Sequence, residues 1–223
     1  MISVAIDGPA GAGKSTLSRK IAEKLGFIYV DTGALYRVVG LKFSREGANT
    51  SLECDIDGIL AKTKADIRFV EGEQRVFLDE EDVSDKIRTP EASMMASAVS
   101  AKPQVRAFLL EMQRELARKN NVVMDGRDIG TVVLPDATVK IYLTATAEAR
   151  AKRRYKELCE KGMTVEYQSV YEDMVKRDYN DMNRDIAPLK QADDAVLADT
   201  TECDLEGSLE LLLKIVKEGL EGK

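Results

Sequence analysis

The sequence predicts an α/β protein in which a mostly parallel sheet is covered by helices on both faces. The main observation is that short apolar strands alternate along the chain with patterns of helical period. A second is that the 223 residues suffice for one large domain with small insertions. Because the chain shows no internal repeat and no Pro-, Gly- or Ser-rich linker, we expect residues 1–223 to form a single unit.

Five strands are predicted, at Ile2–Ile6, Phe27–Val30, Val122–Met124, Val139–Leu143 and, as a last core strand, Ala195–Leu197. Helices are predicted from near Ser15 to Leu25, from Asp31 past Val39, from Pro103 to Leu116, over Ala147–Lys161 and Val165–Met182, and from Leu205 to Leu220. In the first helix, in Pro103–Leu116 and in the last helix, apolar residues recur every three or four positions, whereas Ala147–Lys161 and Val165–Met182 are dense in charge. Gly26 has the position of a C-terminal glycine for the first helix, and Asp204 that of an N-cap for the last.

One segment departs from this alternation. Between Asp66 and Ile87, apolar and charged residues alternate along two short runs, which are separated by Glu71-Gly72-Glu73. A period of two around a glycine turn is typical of a β-hairpin. The sequence therefore predicts a small antiparallel insert within the βα chain.

Composition excludes several classes of protein. The chain has 33 Lys and Arg against 39 Asp and Glu, a net charge of −6, whereas proteins that bind nucleic-acid phosphates usually have a basic excess. It has no histidine, which excludes catalytic triads and metal sites built on that residue. The three cysteines are scattered, and no apolar run reaches membrane-spanning length. We therefore expect a cytoplasmic protein without nucleic-acid or membrane partners.

The most specific motif directly follows the first strand. Residues Gly8–Ser15 (GPAGAGKS) match GxxxxGK[ST] in full, between a predicted strand and a predicted helix. Glycines there let backbone N–H groups converge on a phosphate, and the helix N-terminus adds partial positive charge. In such loops the lysine, here Lys14, reaches the β- and γ-phosphates, and the hydroxyl of Ser15 binds Mg²⁺. The motif predicts binding of a nucleoside triphosphate with magnesium.

A second metal ligand is expected where another apolar strand ends. Asp125 directly follows Val122–Met124 and is the preferred candidate to hold Mg²⁺ or its waters. Asp199, which follows Val196–Ala198, is the alternative.

Two short matches suggest a different class of protein, a GTP-binding switch. Asp55–Gly58 fits DxxG and Thr63–Asp66 fits TKxD, but neither directly follows an apolar strand as recognition requires. Only a few residues separate the two matches, too few for an intervening βα unit. We interpret both as helix-end and turn residues.

Arginine is concentrated in this acidic chain, at Arg37, Arg106, Arg127, Arg150, Arg153, Arg154, Arg177 and Arg184. Guanidinium groups bind phosphates through paired planar donors, so the pattern favours a second phosphorylated substrate. A phosphate acceptor presents an anionic oxygen and needs no histidine base, although an Asp base stays open. The sequence therefore favours a kinase, and a kinase for another monophosphate or a hydroxyl metabolite is the alternative.

Five segments resemble the bacterial cytidylate (CMP) kinases over essentially the full length: IDGPAGAGKST at Ile6–Thr16, DTGALYR at Asp31–Arg37, KPQVR at Lys102–Arg106, DGRDIGTVVLPDA at Asp125–Ala137 and RDYNDMNRDIAPL at Arg177–Leu189. The resemblance implies a P-loop kinase fold with a five-stranded central sheet, a small antiparallel insert and a helical lid. It implies a core at about 1–62, 90–146 and 187–223, a monophosphate-binding region at about 32–100 with the insert at about 63–89, and a lid at about 147–186.

The resemblance also implies roles for individual side chains. ATP would be bound by Gly8, Pro9, Ala10, Gly11, Ala12, Gly13, Lys14, Ser15 and Thr16, with Arg153 or Arg154 closing over it. CMP would be bound by Thr32, Tyr36, Arg37, Ser97, Arg106, Arg127, Asp128, Arg177, Asp181 and Arg184; Ser97, Arg106, Asp128 and Arg184 would contact cytosine. Lys14, Arg127, Arg177 and Arg184 would be catalytic, and Ser15 and Asp125 would serve Mg²⁺.

The reaction implied is Mg²⁺-assisted, in-line transfer of the γ-phosphoryl group of ATP to CMP or dCMP, giving CDP or dCDP. An Asp that accepts from the exocyclic amine of cytosine fits this substrate, whereas uracil would present an oxygen instead. The expected partners are ATP and CMP or dCMP, and the expected state is a monomer.

Overall fold

The structure is a computed structural model that describes residues 1–71 and 73–222. Its strands are β1 (Ser3–Asp7), β2 (Ile28–Asp31), β3 (Ala65–Val70), β4 (Glu73–Leu78), β5 (Glu81–Asp82), β6 (Val122–Gly126), β7 (Val139–Thr144) and β8 (Val196–Asp199). Five of them form a central sheet in the order β2–β6–β1–β7–β8, and each neighbouring pair is parallel. The carboxyl ends of these strands therefore meet at one edge of the sheet.

The helices are α1 (Lys14–Leu25), α2 (Thr32–Arg45), α3 (Ile56–Ala61), α4 (Pro90–Ser100), α5 (Pro103–Lys119), α6 (Ala147–Glu160), α7 (Tyr167–Asn183) and α8 (Leu205–Glu221). Successive side chains of β1 point to opposite faces of the sheet. Val4 and Ile6 pack with apolar residues of α1 and α8, whereas Ala5 packs on the other face with Ala117 of α5. The sheet is thus covered on both faces, as predicted.

The insert is a separate antiparallel sheet in the order β3–β4–β5. Its buried face carries Val76 and Leu78, which pack against Ala34 and Val38 of α2. The predicted hairpin is confirmed, although Gly72 of the predicted turn lies outside the described residues. Through these contacts the insert lies against the start of α2.

Three helical elements were not predicted: α3, α4 and a single π-helical turn at Ile129–Val133. The segment PEASMMASAVS of α4 mixes Ala, Ser and Met without a clear apolar period. Its N-terminal signal was nevertheless readable, because the Thr89 side chain caps the helix ahead of a proline. Asp55 similarly caps α3 by accepting from the N–H of Gly58, as its interpretation as a helix-end residue predicted.

The expectation that the last strand lies in the core is wrong. β8 is the edge strand of the central sheet, where Val196 and Leu197 are 47% and 55% exposed and only Ala198 is buried. An apolar run alone does not distinguish a central from an edge strand. In the ranges 1–71 and 73–222, no helix combines the length and apolarity needed to cross a membrane.

Candidate active site

The predicted phosphate loop, Gly8–Ser15, connects the carboxyl end of β1 to the N-terminus of α1. Gly8 is required by close packing, because a Cβ atom there would lie 2.0 Å from the carbonyl oxygen of Leu143. Gly13 has φ +86°, in the left-handed region that favours glycine. These glycines let the loop turn tightly and direct backbone N–H groups towards an anion.

Lys14 lies inside this loop and is only 6% exposed. Its Nζ atom donates to the carbonyl oxygens of Gly8 and Pro9, both at 2.7 Å. Burial lowers the pKa of Lys14 well below its usual value, and the positive charge of Arg127 lowers it further. A bound phosphate would oppose this shift, because an anion stabilises the charged ammonium.

Ser15 and Asp125, the predicted metal ligands, are in contact. The Ser15 hydroxyl donates to Oδ2 of Asp125 at 2.9 Å, and the Tyr29 hydroxyl donates to Oδ1 at 3.0 Å. Burial raises the pKa of Asp125 to about 6, and the carboxylate of Asp31, its register partner on β2, also raises it. Tyr29 also packs against the core, and its hydrogen bond to Asp125 was not foreseen.

This oxygen pair fits Mg²⁺, which usually binds one or two protein groups together with substrate phosphates and waters. Within the described ranges, no cluster of three or more His, Cys, Asp or Glu residues could form a protein cage for a metal. Asp199, the alternative ligand, is exposed and accepts from the N–H and hydroxyl of Thr201. The structure therefore favours Asp125 over Asp199.

Two further side chains hold the phosphate loop: Asp178, which no prediction placed in the site, and Arg150, which was expected only as one of the phosphate-binding arginines. Asp178 of α7 accepts from the N–H of Ala10 at 2.9 Å, and Arg150 of α6 donates to the Ala10 carbonyl oxygen at 2.7 Å. The two side chains also pair with each other, at 2.5 Å, and both are buried. Helices α6 and α7 thus fix both main-chain polar groups of one loop residue.

A group of arginines lies beside the loop. Nε of Arg127 donates to Asp181 at 2.8 Å, and Arg37 pairs with Asp31 at 2.9 Å. Burial lowers the pKa of Arg177 to about 10, and the nearby charges of Arg127 and Arg37 contribute. The Nε atoms of Arg37 and Arg177 are buried and have no hydrogen-bond partner among residues 1–71 and 73–222. Buried, unpaired guanidinium donors next to a phosphate loop fit a second anionic ligand.

A further cluster surrounds Asp128, which is 4% exposed. Its carboxylate pairs with Arg106 and, at 3.4 Å, with Arg184, and the Arg106 guanidinium lies over the Tyr36 ring at 5.6 Å. Burial raises the pKa of Asp128 even though both arginines oppose that shift. Ser97, the other predicted cytosine contact, is half-buried on α4. The structure thus brings Arg106, Asp128 and Arg184 together, as the predicted cytosine set requires.

Comparison with known proteins agrees with this geometry. The model of the family described as Cytidylate kinase matches residues 4–218. The chain belongs to the cytidylate kinase family. Its curated relatives include the cytidylate kinases of Caldicellulosiruptor bescii, 53% identical over 97% of each chain, and of Carboxydothermus hydrogenoformans, 50% identical over 96% of each. The fold is similar to that of an uncharacterized protein from Eubacterium ventriosum, with a TM-score of 0.54, 13% identity and coverage of 97% and 99% of the two chains.

The segment DGRDIGTVV, part of the resemblance to the cytidylate kinase family, is held in place by Asp7 at the end of β1. The Asp7 carboxylate accepts from the N–H groups of Ile129 and Gly130, at 2.8 and 2.7 Å. Burial raises the pKa of Asp7 to about 6 although these hydrogen bonds lower it. Asp7 thereby fixes the start of the π-helical turn directly after Asp128. This role of Asp7 could not be predicted, because in the sequence Asp7 looks like any other acidic residue after a strand.

In this structure, the two arginines predicted to close over ATP form their hydrogen bonds and ion pairs outside the phosphate loop. The Arg153 guanidinium donates to the carbonyl oxygens of Thr200 and Cys203, between β8 and α8, and Arg154 pairs with Glu157 on its own helix. Thr16 is exposed on the first turn of α1, and the Thr32 hydroxyl donates to the carbonyl oxygen of Asp125 at 2.8 Å.

Proposed function

We propose that this member of the cytidylate kinase family catalyses the ATP-dependent phosphorylation of CMP and dCMP to CDP and dCDP. Family membership supports nucleotide substrates and phosphoryl transfer. The observation that carries the residue-level proposal is that the Nε atoms of Arg37 and Arg177 are buried without a hydrogen-bond partner among the described residues. The charge of Arg177 acts on Lys14 of the phosphate loop, and that of Arg37 acts on Arg177. The two guanidinium groups offer donors to a second phosphate opposite the one that the loop binds.

On the donor side, ATP is bound by Gly8, Pro9, Ala10, Gly11, Ala12, Gly13, Lys14, Ser15 and Thr16. Backbone N–H groups and Lys14 hold its phosphates, and the Lys14 ammonium leaves the carbonyl oxygens of Gly8 and Pro9 to do so. Ser15 and Asp125 hold Mg²⁺ or its waters, and the ion supplies neutralisation of phosphate charge when bound.

On the acceptor side, Arg37, Arg127 and Arg177 bind the phosphate of the monophosphate, and Thr32, Tyr36 and Asp181 complete its phosphate and ribose environment. Repulsion between two polyanions is the main obstacle to in-line transfer, and guanidinium groups reduce it. Arg127, Arg177 and Arg184 would stabilise charge on the transferred group. No histidine base is needed, because the attacking oxygen is already anionic.

Cytosine is recognised by Asp128 with Ser97, Arg106 and Arg184. The Asp128 carboxylate accepts from the exocyclic amine, while Ser97 and Arg106 donate to N3 and O2. Uracil would place O4 against Asp128 and its N3–H against donors. Each buried polar group left unpaired costs about 1–3 kcal/mol, which favours CMP over UMP.

Residues 147–186 form the lid, with Arg153 or Arg154 reaching ATP on closure, and closure excludes water from the transferring phosphoryl group. In the proposed organisation, this lid is joined to a core at about 1–62, 90–146 and 187–223 and to a monophosphate-binding region at about 32–100.

The protein acts in the cytoplasm as a monomer, without nucleic-acid or membrane partners.

A coupled assay of ADP release, with CMP, dCMP, UMP, AMP or no acceptor, tests the proposed function. We expect release to depend on an acceptor and to be fastest with CMP and dCMP. Equal rates with and without acceptor would refute a kinase, and preference for another acceptor would favour a different small-molecule kinase.

A further inference from the structure

The antiparallel insert approaches the proposed binding site of the acceptor nucleotide at the polar residue Gln74. On β4, Gln74, Val76 and Leu78 share one face because side chains alternate along a strand. Val76 and Leu78 are buried against Ala34 and Val38 of α2. Gln74 continues this inner face at the point where β2 ends and α2 begins.

Gln74 contacts the main chain of Asp31 through both ends of its amide. The Asp31 N–H donates to Oε1 of Gln74 at 2.8 Å, and Nε2 of Gln74 donates to the Asp31 carbonyl oxygen at 3.3 Å. Strand β2 is an edge strand of the central sheet, so no described strand of that sheet pairs with its outward polar groups. The side-chain amide of Gln74 therefore takes the place of a paired residue on a missing strand.

Asp31 in turn holds Arg37. One carboxylate oxygen of Asp31 caps α2 by accepting from the N–H of Ala34, and the other pairs with Arg37 at 2.9 Å. The Nε donor of Arg37 is buried and has no hydrogen-bond partner in the part of the chain that the structure describes. The backbone position of Asp31 thus sets the direction of its carboxylate, and that carboxylate sets the direction of the free Arg37 donor.

We propose that Gln74 is a positioning residue for the acceptor phosphate: it fixes Asp31, and Asp31 orients Arg37 towards the phosphate of the monophosphate. This inference rests on the proposed function of Arg37. It gives the insert a role in acceptor binding, because Gln74 couples β4 to a side chain of α2 that contacts substrate.

The test compares Gln74→Met with the unchanged full-length protein. Met has a similar length but cannot form the two hydrogen bonds to Asp31. We expect the KM for CMP, and its dissociation constant by calorimetry, to rise about tenfold, while kcat and the KM for ATP change by less than about twofold. Gln74→Ala removes the same bonds without added bulk and should give the same result, so the test does not depend on one variant folding.

Arg75→Met is the matched control, since Arg75 is the next residue of β4 and pairs with Asp82 and Asp85, away from Asp31. It should leave all four values near those of the parent. A CMP affinity equal to that of the parent in both Gln74 variants would overturn the inference. So would equal losses for ATP and CMP, which would indicate a general structural role.

A double-mutant cycle with Arg37→Gln separates this inference from the proposed function. If Gln74 acts through Arg37, Gln74→Met has no further effect on CMP affinity in the Arg37→Gln background. Additive effects overturn the inference. If Arg37→Gln itself leaves CMP affinity unchanged, the proposed role of Arg37 fails and this inference fails with it. If Arg37→Gln weakens CMP binding and the Gln74 variants do not, only the inference fails.

Discussion

The phosphate loop and the arginine cluster are built in different ways. The loop is one contiguous segment between β1 and α1 and offers mainly backbone N–H groups. The arginine cluster, by contrast, consists of Arg37, Arg106, Arg127, Arg177 and Arg184, which come from α2, α5, the end of β6 and α7 with its C-terminal flank. Carboxylates of Asp31, Asp128 and Asp181 orient most of these side chains.

This difference predicts how each region responds to substitution. A backbone site is set by glycine conformation and by the start of a helix, so few side chains besides Lys14 are indispensable. A side-chain site depends on every partner that holds its guanidinium groups, so substrate preference can be altered one residue at a time. Loss of Lys14 on the donor side should therefore lower turnover most, whereas substitution of the residues that contact the base on the acceptor side should mainly alter selectivity.

The largest expected effect is that of Lys14→Ala. Removing the ammonium that neutralises the transferring phosphates should lower kcat by about a thousandfold or more. Circular dichroism should show an intact fold. Lys20→Ala, an exposed lysine on the same helix, should remain near the parent rate. Near-normal turnover of Lys14→Ala would refute its assigned role.

A smaller effect, on selectivity, is expected for Asp128→Asn. The neutral amide accepts from the cytosine amine more weakly than the carboxylate, can instead donate to O4 of uracil, and leaves Arg106 and Arg184 without their anion. The ratio of kcat/KM for CMP to that for UMP should fall by about tenfold to a hundredfold. Asp136→Asn, at an exposed position after the π-helical turn, is the control. A ratio equal to that of the parent would remove Asp128 from the cytosine set.

Asp178→Asn should have a still smaller effect, and on the donor side alone. The variant weakens the ion pair with Arg150 and alters the hydrogen bond that holds the N–H of Ala10. We expect the KM for ATP to rise about fivefold while the KM for CMP changes little. Asp173→Asn, exposed on the same helix, should change neither constant. Parallel changes in both constants would contradict a specific contribution of Asp178 to the loop.

The difference between a contiguous loop and a site assembled from distant segments also explains which features could be predicted from the sequence. Strands, main helices and the phosphate loop were readable because each depends on residues that are close together in the chain. The edge position of β8 was not, because strand order is a property of the whole sheet. The contacts of Asp7, Gln74, Arg150 and Asp178 were missed for a related reason: each side chain contacts main-chain groups of a distant segment, and such contacts leave no local pattern. The number of arginines predicted a second phosphorylated substrate, but the role of each one came only from resemblance to a family.

The smallest expected effect is that of Tyr29→Phe, which tests whether a residue outside the GxxxxGK[ST] motif affects the charge of the metal ligand Asp125. Asp125 must be ionised to hold a cation, and its pKa is about 6 in the structure, so activity should rise with pH through this range. The Tyr29 hydroxyl donates to the Asp125 carboxylate and stabilises its charged form. Tyr29→Phe should therefore raise the pKa of Asp125 and move the acidic limb of kcat/KM to higher pH, by about half a unit.

The second ionisation of a phosphate monoester also falls near pH 6, so the acceptor itself contributes to this limb. That contribution is the same for both proteins when the substrates are the same, and it cancels when the two profiles are compared. Tyr142→Phe, at a tyrosine on β7 with no described hydrogen bond to Asp125, is the control. A shift confined to Tyr29→Phe means that the charge of the metal ligand depends on a side chain that GxxxxGK[ST] does not specify, and coincident profiles mean that the Tyr29 hydrogen bond does not affect this charge.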